Sequence, residues 1–355
     1  AGLVRRAVAA NPDLAGAEAR LRRARRLVGA AEARLLPQLG ATTRIDRISV
    51  SESFPVLDRF FAAGQADPDQ QLASATFDAA WELDLFGGNR RRAEAAAARA
   101  EAVAEARRGA ILAVVAEVAR NYFDLRRAQA DIRSLEQSID LQARRVALAA
   151  ARLDAGVGAL PALEEARGRE DGLAARLPPL LAREAAAAYR LAVLTARPPA
   201  EVHDELAQAA PLPEPPDLVP VGLPAELLRR RPDVRRAERE LAAATAEIGV
   251  DVSRLFPRVS LTGLAGYQAQ GFTDLFAGGN ETWAIGPGVR WEVLRGGALR
   301  ARLAASRAAR DGRLAAWEAA VNEAIADVEG ALTRYGRAFE ARERLAAALA
   351  HGDRA

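Results

Sequence analysis

The sequence predicts a mainly α chain with a small β part, in which long coiled-coil helices flank two pairs of strands. Three observations carry this expectation: a heptad of apolar residues in a long alanine-rich segment, apolar-polar alternation in shorter segments, and the same order of elements occurring twice within 355 residues. Composition agrees. Half of the residues are hydrophobic, but much of that share is alanine and only 5% are aromatic. Alanine favours helix and lets helices approach closely, yet it makes a thin core, so elongated helical packing suits this chain better than a globule.

The duplication fixes the order of elements. Asn11-Pro12-Asp13 matches Arg231-Pro232-Asp233 at an offset of 220 (231 − 11), as Leu36-Pro37 matches Phe256-Pro257. Trp81-Glu82 then matches Trp291-Glu292 at 210 (291 − 81), Gly87-Gly88 matches Gly296-Gly297 at 209, and Ala116-Glu117-Val118 matches Ala326-Asp327-Val328 at 210. One loop is therefore shorter in the second copy. A first repeat is expected at 1–196, a proline-rich linker at 197–224 and a second repeat at 225–355.

Each copy opens with a helix, at 12–36 and 225–255, rich in Ala, Leu, Arg and Glu and closed by an X-Pro pair that ends helix and begins extended chain. A longer helix is expected at 89–153, where Ile111, Val115, Val118, Tyr122, Leu125, Ile132 and Ile139 follow coiled-coil spacing. At about 1.5 Å per residue such a helix spans on the order of 100 Å. Its counterpart is expected at 298–349. The turn at 152–161, Arg152-Leu153-Asp154-Ala155-Gly156-Val157-Gly158-Ala159-Leu160-Pro161, reverses the first long helix. Glycine permits a tight reversal and Pro161 can open the returning helix at 161–196, which Pro178-Pro179 should kink or divide.

Strands are expected at about 39–50, 72–86, 257–269 and 282–293. In the second of these the odd positions, including Phe77, Trp81, Leu83 and Leu85, are apolar, while Asp78, Glu82 and Asp84 lie among the even ones. In the fourth, Trp283 and Trp291 alternate with Arg290 and Glu292 in the same way. A soluble sandwich produces this alternation too. Against it, each strand is roughly 9–13 residues, long enough for a tilted strand to cross a bilayer. Trp81 and Trp291 also stand near strand ends, where an interfacial aromatic belt falls. On that reading Phe77, Trp81, Leu83, Leu85, Trp283 and Trp291 face lipid or its interface, and Asp78, Glu82, Asp84, Arg290 and Glu292 face water. Gly87, Gly88, Gly296 and Gly297 turn strand into helix, leaving Arg90 to Arg92 just outside the membrane. Four strands cannot close a barrel and open edges are not tolerated in hydrocarbon, so several chains must contribute. A dimer would give eight strands with a filled interior, whereas a trimer gives twelve around a pore.

At these residues the chain resembles the TolC-like outer-membrane efflux channels, in particular the NodT-type efflux lipoproteins. The resemblance is carried by FDAAWELDLFGGNRRR at 77–92, LPAELLRRRPDVRRAERELAAATAEIGV at 223–250, LFPRVSLTGLAGY at 255–267 and WAIGPGVRWEVLRGG at 283–297. It implies a homotrimer with a twelve-stranded transmembrane β-barrel in the outer-membrane lipid of a Gram-negative bacterium, and a periplasmic α-barrel of packed helices. It also implies a periplasmic adaptor and an inner-membrane transporter of RND type as partners, with small-molecule efflux as the activity and type I export as the alternative. The tip residues Arg152, Leu153, Gly156, Val157, Gly158 and Ala159 would then dock the adaptor, and the linker would join a belt around the tunnel. A signal peptide, a lipid-bearing cysteine and a second tip with its final helix belong to the family pattern and are not among these residues, so the chain is expected to be shortened at both ends.

Other classes fit less well. All 50 basic residues are arginine, but 47 acidic residues leave a net charge of only +3. Clusters such as Arg22, Arg23, Arg25 and Arg26 lie between Glu18 and Glu32, which reads as a solvated helix face, so no nucleic-acid partner is expected. The absence of cysteine excludes disulfides, thiolate metal sites and cysteine nucleophiles. His203 and His351 are isolated, no paired carboxylates show catalytic spacing and no phosphate-binding glycine loop is present, so no enzyme, metal or cofactor is expected. A soluble coiled-coil adaptor would share the long helices, but it has no use for duplicated, bilayer-length strands.

Overall fold

The computed structural model describes residues 2–49, 69–212 and 224–352. Along the chain run α1 (Gly2–Ala10), α2 (Pro12–Glu32), a 3-10 turn (Ala33–Leu35), β1 (Gln38–Ser49), β2 (Asp69–Leu83) and α3 (Gly88–Asp154). Then follow α4 (Leu160–Ala174), α5 (Leu177–Leu194), α6 (Pro199–Leu206), α7 (Pro224–Arg230), α8 (Pro232–Ser253), β3 (Arg258–Ala269), β4 (Glu281–Arg290) and α9 (Ala298–Gly352). No helix among the described residues is long and apolar enough to cross a membrane. The residues group into two compact units, Ala1–Leu21 with Ala104–Asp233, and Arg22–Val103 with Val234–Ala355.

In the first unit, Ala7, Leu14, Val118, Leu125, Ala188, Leu191, Val202 and Leu206 belong to one apolar cluster. Asn11 starts α2 by accepting amide hydrogen bonds from Asp13 (2.9 Å) and Leu14 (3.2 Å), with Pro12 at the first helical position, where its missing N–H costs nothing. The buried stripe of α3 runs through Val114, Val118, Asn121, Leu125, Ala128 and Ile132, so it is thinner and more polar than the apolar heptad suggests. Val115 and Tyr122 are only half buried. The returning segment is two helices, because Pro178 and Pro179 can occupy the first turn of a helix but not its middle.

The expected linker at 197–224 is not all linker. Its stretch Pro199–Leu206 is α6, whose Val202 and Leu206, one turn apart, enter the core. Buried Arg126 donates to the Gln208 carbonyl (2.7 Å), and Gln129 donates to the Leu206 carbonyl (2.9 Å), so a cation sits over the carbonyl end of α6.

The second unit holds a four-stranded antiparallel sheet in the order β1-β2-β3-β4. Its helices pack through small side chains: Ala95, Ala98, Ala102, Ala243 and Ala246 are all buried. Charged pairs flank these contacts, including Arg239 with Glu101 (3.2 Å) and Arg313 with Glu240 (2.8 Å). Such exposed pairs contribute about 0–1 kcal/mol each, so close packing decides the approach and the ions select among orientations.

Several element ends differ from expectation. The helix expected at 12–36 ends at Glu32 with a 3-10 turn, and that expected at 225–255 is split by Pro232 into α7 and α8. The first strand runs 38–49 rather than 39–50, the second 69–83 rather than 72–86, and the fourth stops at Arg290 rather than 293. The connection between the first two strands, 50–68, lies outside the described residues. Helix α1 precedes the first helix expected from the sequence.

Candidate functional site

Strand register sorts the sheet into two faces. Phe77 stands opposite Ala41 and Ala265, and Ala265 opposite Trp283, so these four share one face. The next rows on that face are Leu39, Ala79, Gly263 and Ile285, then Trp81, Leu261 and Pro287, then Leu83, Val259 and Val289. In the single chain Phe77 is 61% exposed and Trp283 75%. Asp78 and Glu82 lie on the other face, in rows with Leu264 and Ala284 and with Ser260 and Gly288. Arg290 stands directly opposite Arg258 on that face. Two like charges at that spacing repel, and Glu292, 3.8 Å from Arg258, offsets this.

One close approach shapes the sheet. A Cβ on Gly266 would collide with the Ala75 carbonyl oxygen and lie 2.7 Å from the Thr76 Cα, so only glycine lets β3 lie this close to β2.

The structure corrects four of the expected face assignments. Asp84 and Leu85 lie beyond the end of β2, and Trp291 and Glu292 beyond the end of β4. Asp84 instead closes the N-terminus of α3: its Oδ1 accepts from the Asn89 amide and its Oδ2 from the Arg90 amide, both at 2.9 Å. Burial acts to raise its pKa, but the Arg90 and Asn89 amides and the Arg90 guanidinium outweigh that and hold the carboxyl below its ordinary value. The first amides of a helix need acceptors, and a carboxylate there also meets the positive end of the helix dipole. That demand takes the chain out of the sheet at Leu83. Sequence alternation alone counts Asp84 as one more strand position.

Gly87 has φ +76° and lets the chain reverse before α3. Gly88 is needed for space, since a Cβ there would collide with the Ser253 hydroxyl. Phe86 stacks on Phe256 with centroids 4.8 Å apart and planes 9° apart. At the second junction Gly296 and Gly297 have φ +51° and +80°, with nothing within 4 Å of an added Cβ. Both junctions share one anchor: the Trp81 indole N–H donates to the Leu35 carbonyl (2.9 Å) and that of Trp291 to the Leu255 carbonyl (3.1 Å). The tryptophans expected at an interface thus spend their polar edge within the chain.

The reversal after α3 is held by its own backbone. The Val157 amide donates to the Arg152 carbonyl and the Gly156 amide to the Leu153 carbonyl, both at 3.0 Å, with Gly156 at φ +74°. This paired closure is how helices end on a left-handed glycine. Gly158 packs against the helix end, where a Cβ would lie 2.7 Å from the Leu153 nitrogen. The result presents Val157 at 79% exposure beside exposed Arg152, Ala159 and Leu160, with Leu153 half buried. Among the described residues no group of His, Asp and Glu side chains is placed to hold a metal ion.

Comparison with known proteins bears on both regions. The sequence profile described as "Outer membrane efflux protein" matches residues 3–197 and 223–354. Nodulation protein T of Rhizobium leguminosarum bv. trifolii is 32% identical over 268 residues, covering 74% of this chain and 57% of its own length. The solvent efflux pump outer membrane protein SrpC of Pseudomonas putida is 29% identical over 317 residues, covering 84% of this chain and 66% of that protein. Among solved structures the outer-membrane channel OprN superposes with a TM-score of 0.88 at 33% identity, over 96% of this chain and 74% of that one. The chain spans little more than half the length of the nodulation protein it matches.

Proposed function

From the premise that this chain belongs to the outer membrane efflux protein family, we propose that it forms the wall of an outer-membrane channel in a tripartite efflux pump. Three copies with their internal duplication contribute four strands each to a twelve-stranded barrel, and the long helices continue it as a periplasmic tunnel. The tip from Arg152 to Ala159 docks a periplasmic adaptor, which joins the channel to an inner-membrane transporter that supplies the energy. Drugs or other small molecules pass through without chemical change, so the protein is a conduit and not an enzyme.

One observation carries this reading: on one face of the sheet the four rows from Phe77 to Leu83 are apolar, with Thr43, Arg47, Gln71 and Glu281 coming only beyond them; the other face bears Asp78, Glu82, Arg258 and Arg290; and the two edge strands, β1 and β4, have no second neighbour within the sheet. In lipid each edge needs a partner, and neighbouring copies offer the matching edge. Water-soluble sheets hide their apolar face, whereas this one has Trp283, Ile285 and Val289 each about 70% exposed in one chain.

Planar-bilayer recording tests the proposal. Purified protein should give discrete conductance steps and run as a trimer that heat dissociates. A detergent-independent soluble monomer without conductance would contradict it.

A further inference from the structure

Where β2 gives way to α3, the polar face of the sheet borders a recess of about 580 Å³. That volume is in the range of small-molecule sites. Four arginines from four separate parts of the chain converge on it: Arg34 from the turn before β1, Arg92 from α3, Arg254 from the end of α8 and Arg258 from β3. Glu82 and Asp84 also line it, so the lining carries 4 − 2 = +2.

The arginines are unequal. Arg254 is paired with Asp251 at 2.7 Å, and Arg258 is 3.8 Å from Glu292. Asp84 is committed to the α3 amides and to Arg90. Arg92 donates only to the neutral Asn89 side chain, and among the described residues no carboxylate comes within salt-bridge distance of Arg92 or Arg34. Burial, followed by the charges of Arg34 and Arg254, lowers the pKa of Arg92 and outweighs the opposite pull of Glu82 and Asp84, so like charges are gathered around the recess. Two guanidiniums with no carboxylate in ion-pair contact, beside a concave opening, form a receptor for a planar or tetrahedral oxyanion, which the guanidinium fork fits with paired hydrogen bonds.

We propose that this recess is an oxyanion site, in which Arg34 and Arg92 take the carboxylate, phosphate or sulfate group of a small molecule on the water side of the sheet. The water side is chosen because, of the strand residues that line it, Gln38, Ala80, Glu82, Arg258, Ser260 and Thr262 share the face opposite Phe77 and Trp283, against Trp81 and Leu83 from the apolar face. A lipid phosphate would approach from the apolar face. The site deepens the channel reading and rests on it for its role: a barrel of three copies would place three such sites around the entrance to the barrel, favouring anionic cargo.

Calorimetric titration of inorganic pyrophosphate into lipid-free protein in a neutral detergent at low salt tests the site. Saturable binding is expected, weakened about tenfold in Arg34→Gln, the loss of one charge-assisted contact, and abolished in Arg34→Gln/Arg92→Gln. Since Arg34 has no ion pair to break, its single substitution should leave the helical circular dichroism intact. Arg313→Gln removes the same charge from an exposed pair elsewhere and should bind as the parent does. Absence of saturable pyrophosphate binding, equal weakening by Arg313→Gln, or saturation by short-chain phosphatidylglycerol without any response to pyrophosphate would each overturn the site. Conductance without pyrophosphate binding would sink the site and spare the channel; binding without conductance would do the reverse.

Discussion

The two strand-to-helix junctions descend from matching sequence, yet they are built differently. At the first, only residues 84–87 separate β2 from α3; a carboxylate caps the helix, Phe86 stacks on Phe256, and Gly88 touches Ser253. At the second, residues 291–297 separate β4 from α9, two glycines take left-handed conformations in open space, and Leu294 stands where the offset of 210 would place a counterpart of Asp84 (294 − 84). Leu294 is 91% exposed. What both retain is the tryptophan indole bonded to the carbonyl before the X-Pro pair. The anchor across the junction is therefore the common element, whereas the tight cap belongs to the first junction.

Four substitutions probe the two junctions, each read as heat or denaturant unfolding of the helical signal in detergent. The largest effect is expected from Gly88→Ala, about 2 kcal/mol of destabilisation from overpacking against Ser253. Part of that loss should return in Gly88→Ala/Ser253→Gly; an unaltered midpoint in Gly88→Ala would show that the contact is slack. Next comes Asp84→Ala, expected to cost about 1–2 kcal/mol by exposing two helix amides without an acceptor. Because the folded pKa of Asp84 is depressed, its contribution is full above the ordinary carboxylate pKa and lost as pH falls through the folded value. The parent and Asp84→Ala should therefore converge in acid, and a gap that widens there would refute the cap.

Gly297→Ala should cost about 1 kcal/mol, since only backbone strain at φ +80° opposes the methyl group. Smallest of all is Leu294→Asp, which should move stability by less than about 0.5 kcal/mol, because an exposed residue outside a tight turn has no amides to meet. A gain of a full kcal/mol there would show that the acid alone makes a junction tight.

Much of this was legible in the sequence because period carries physical meaning. Alternation placed Phe77, Trp81, Leu83 and Trp283 on one face and Asp78, Glu82 and Arg290 on the other, and the strand register has the same partition. Glycine marked the reversal at Gly156, and proline the division of the returning segment at Pro178-Pro179. Strand ends were not legible, because Asp84 keeps the alternating phase while obeying a different demand, the unsatisfied amides of α3. Nor was α6, whose two core residues hide in a proline-rich stretch. The arginine recess escaped for a third reason: residues 34, 92, 254 and 258 converge only after the strands pair, and no spacing in the sequence announces them.

The proposed channel requires one face of the sheet to meet lipid and the other to meet water. The chain contains no cysteine, so single cysteines can be placed without background. Phe77→Cys, Asp78→Cys, Trp81→Cys, Glu82→Cys, Trp283→Cys and Ala284→Cys should be reconstituted in vesicles and exposed to a charged, membrane-impermeant maleimide. Labelling should alternate residue by residue, rapid at 78, 82 and 284 and blocked at 77, 81 and 283. Uniform labelling at all six positions would contradict a transmembrane wall.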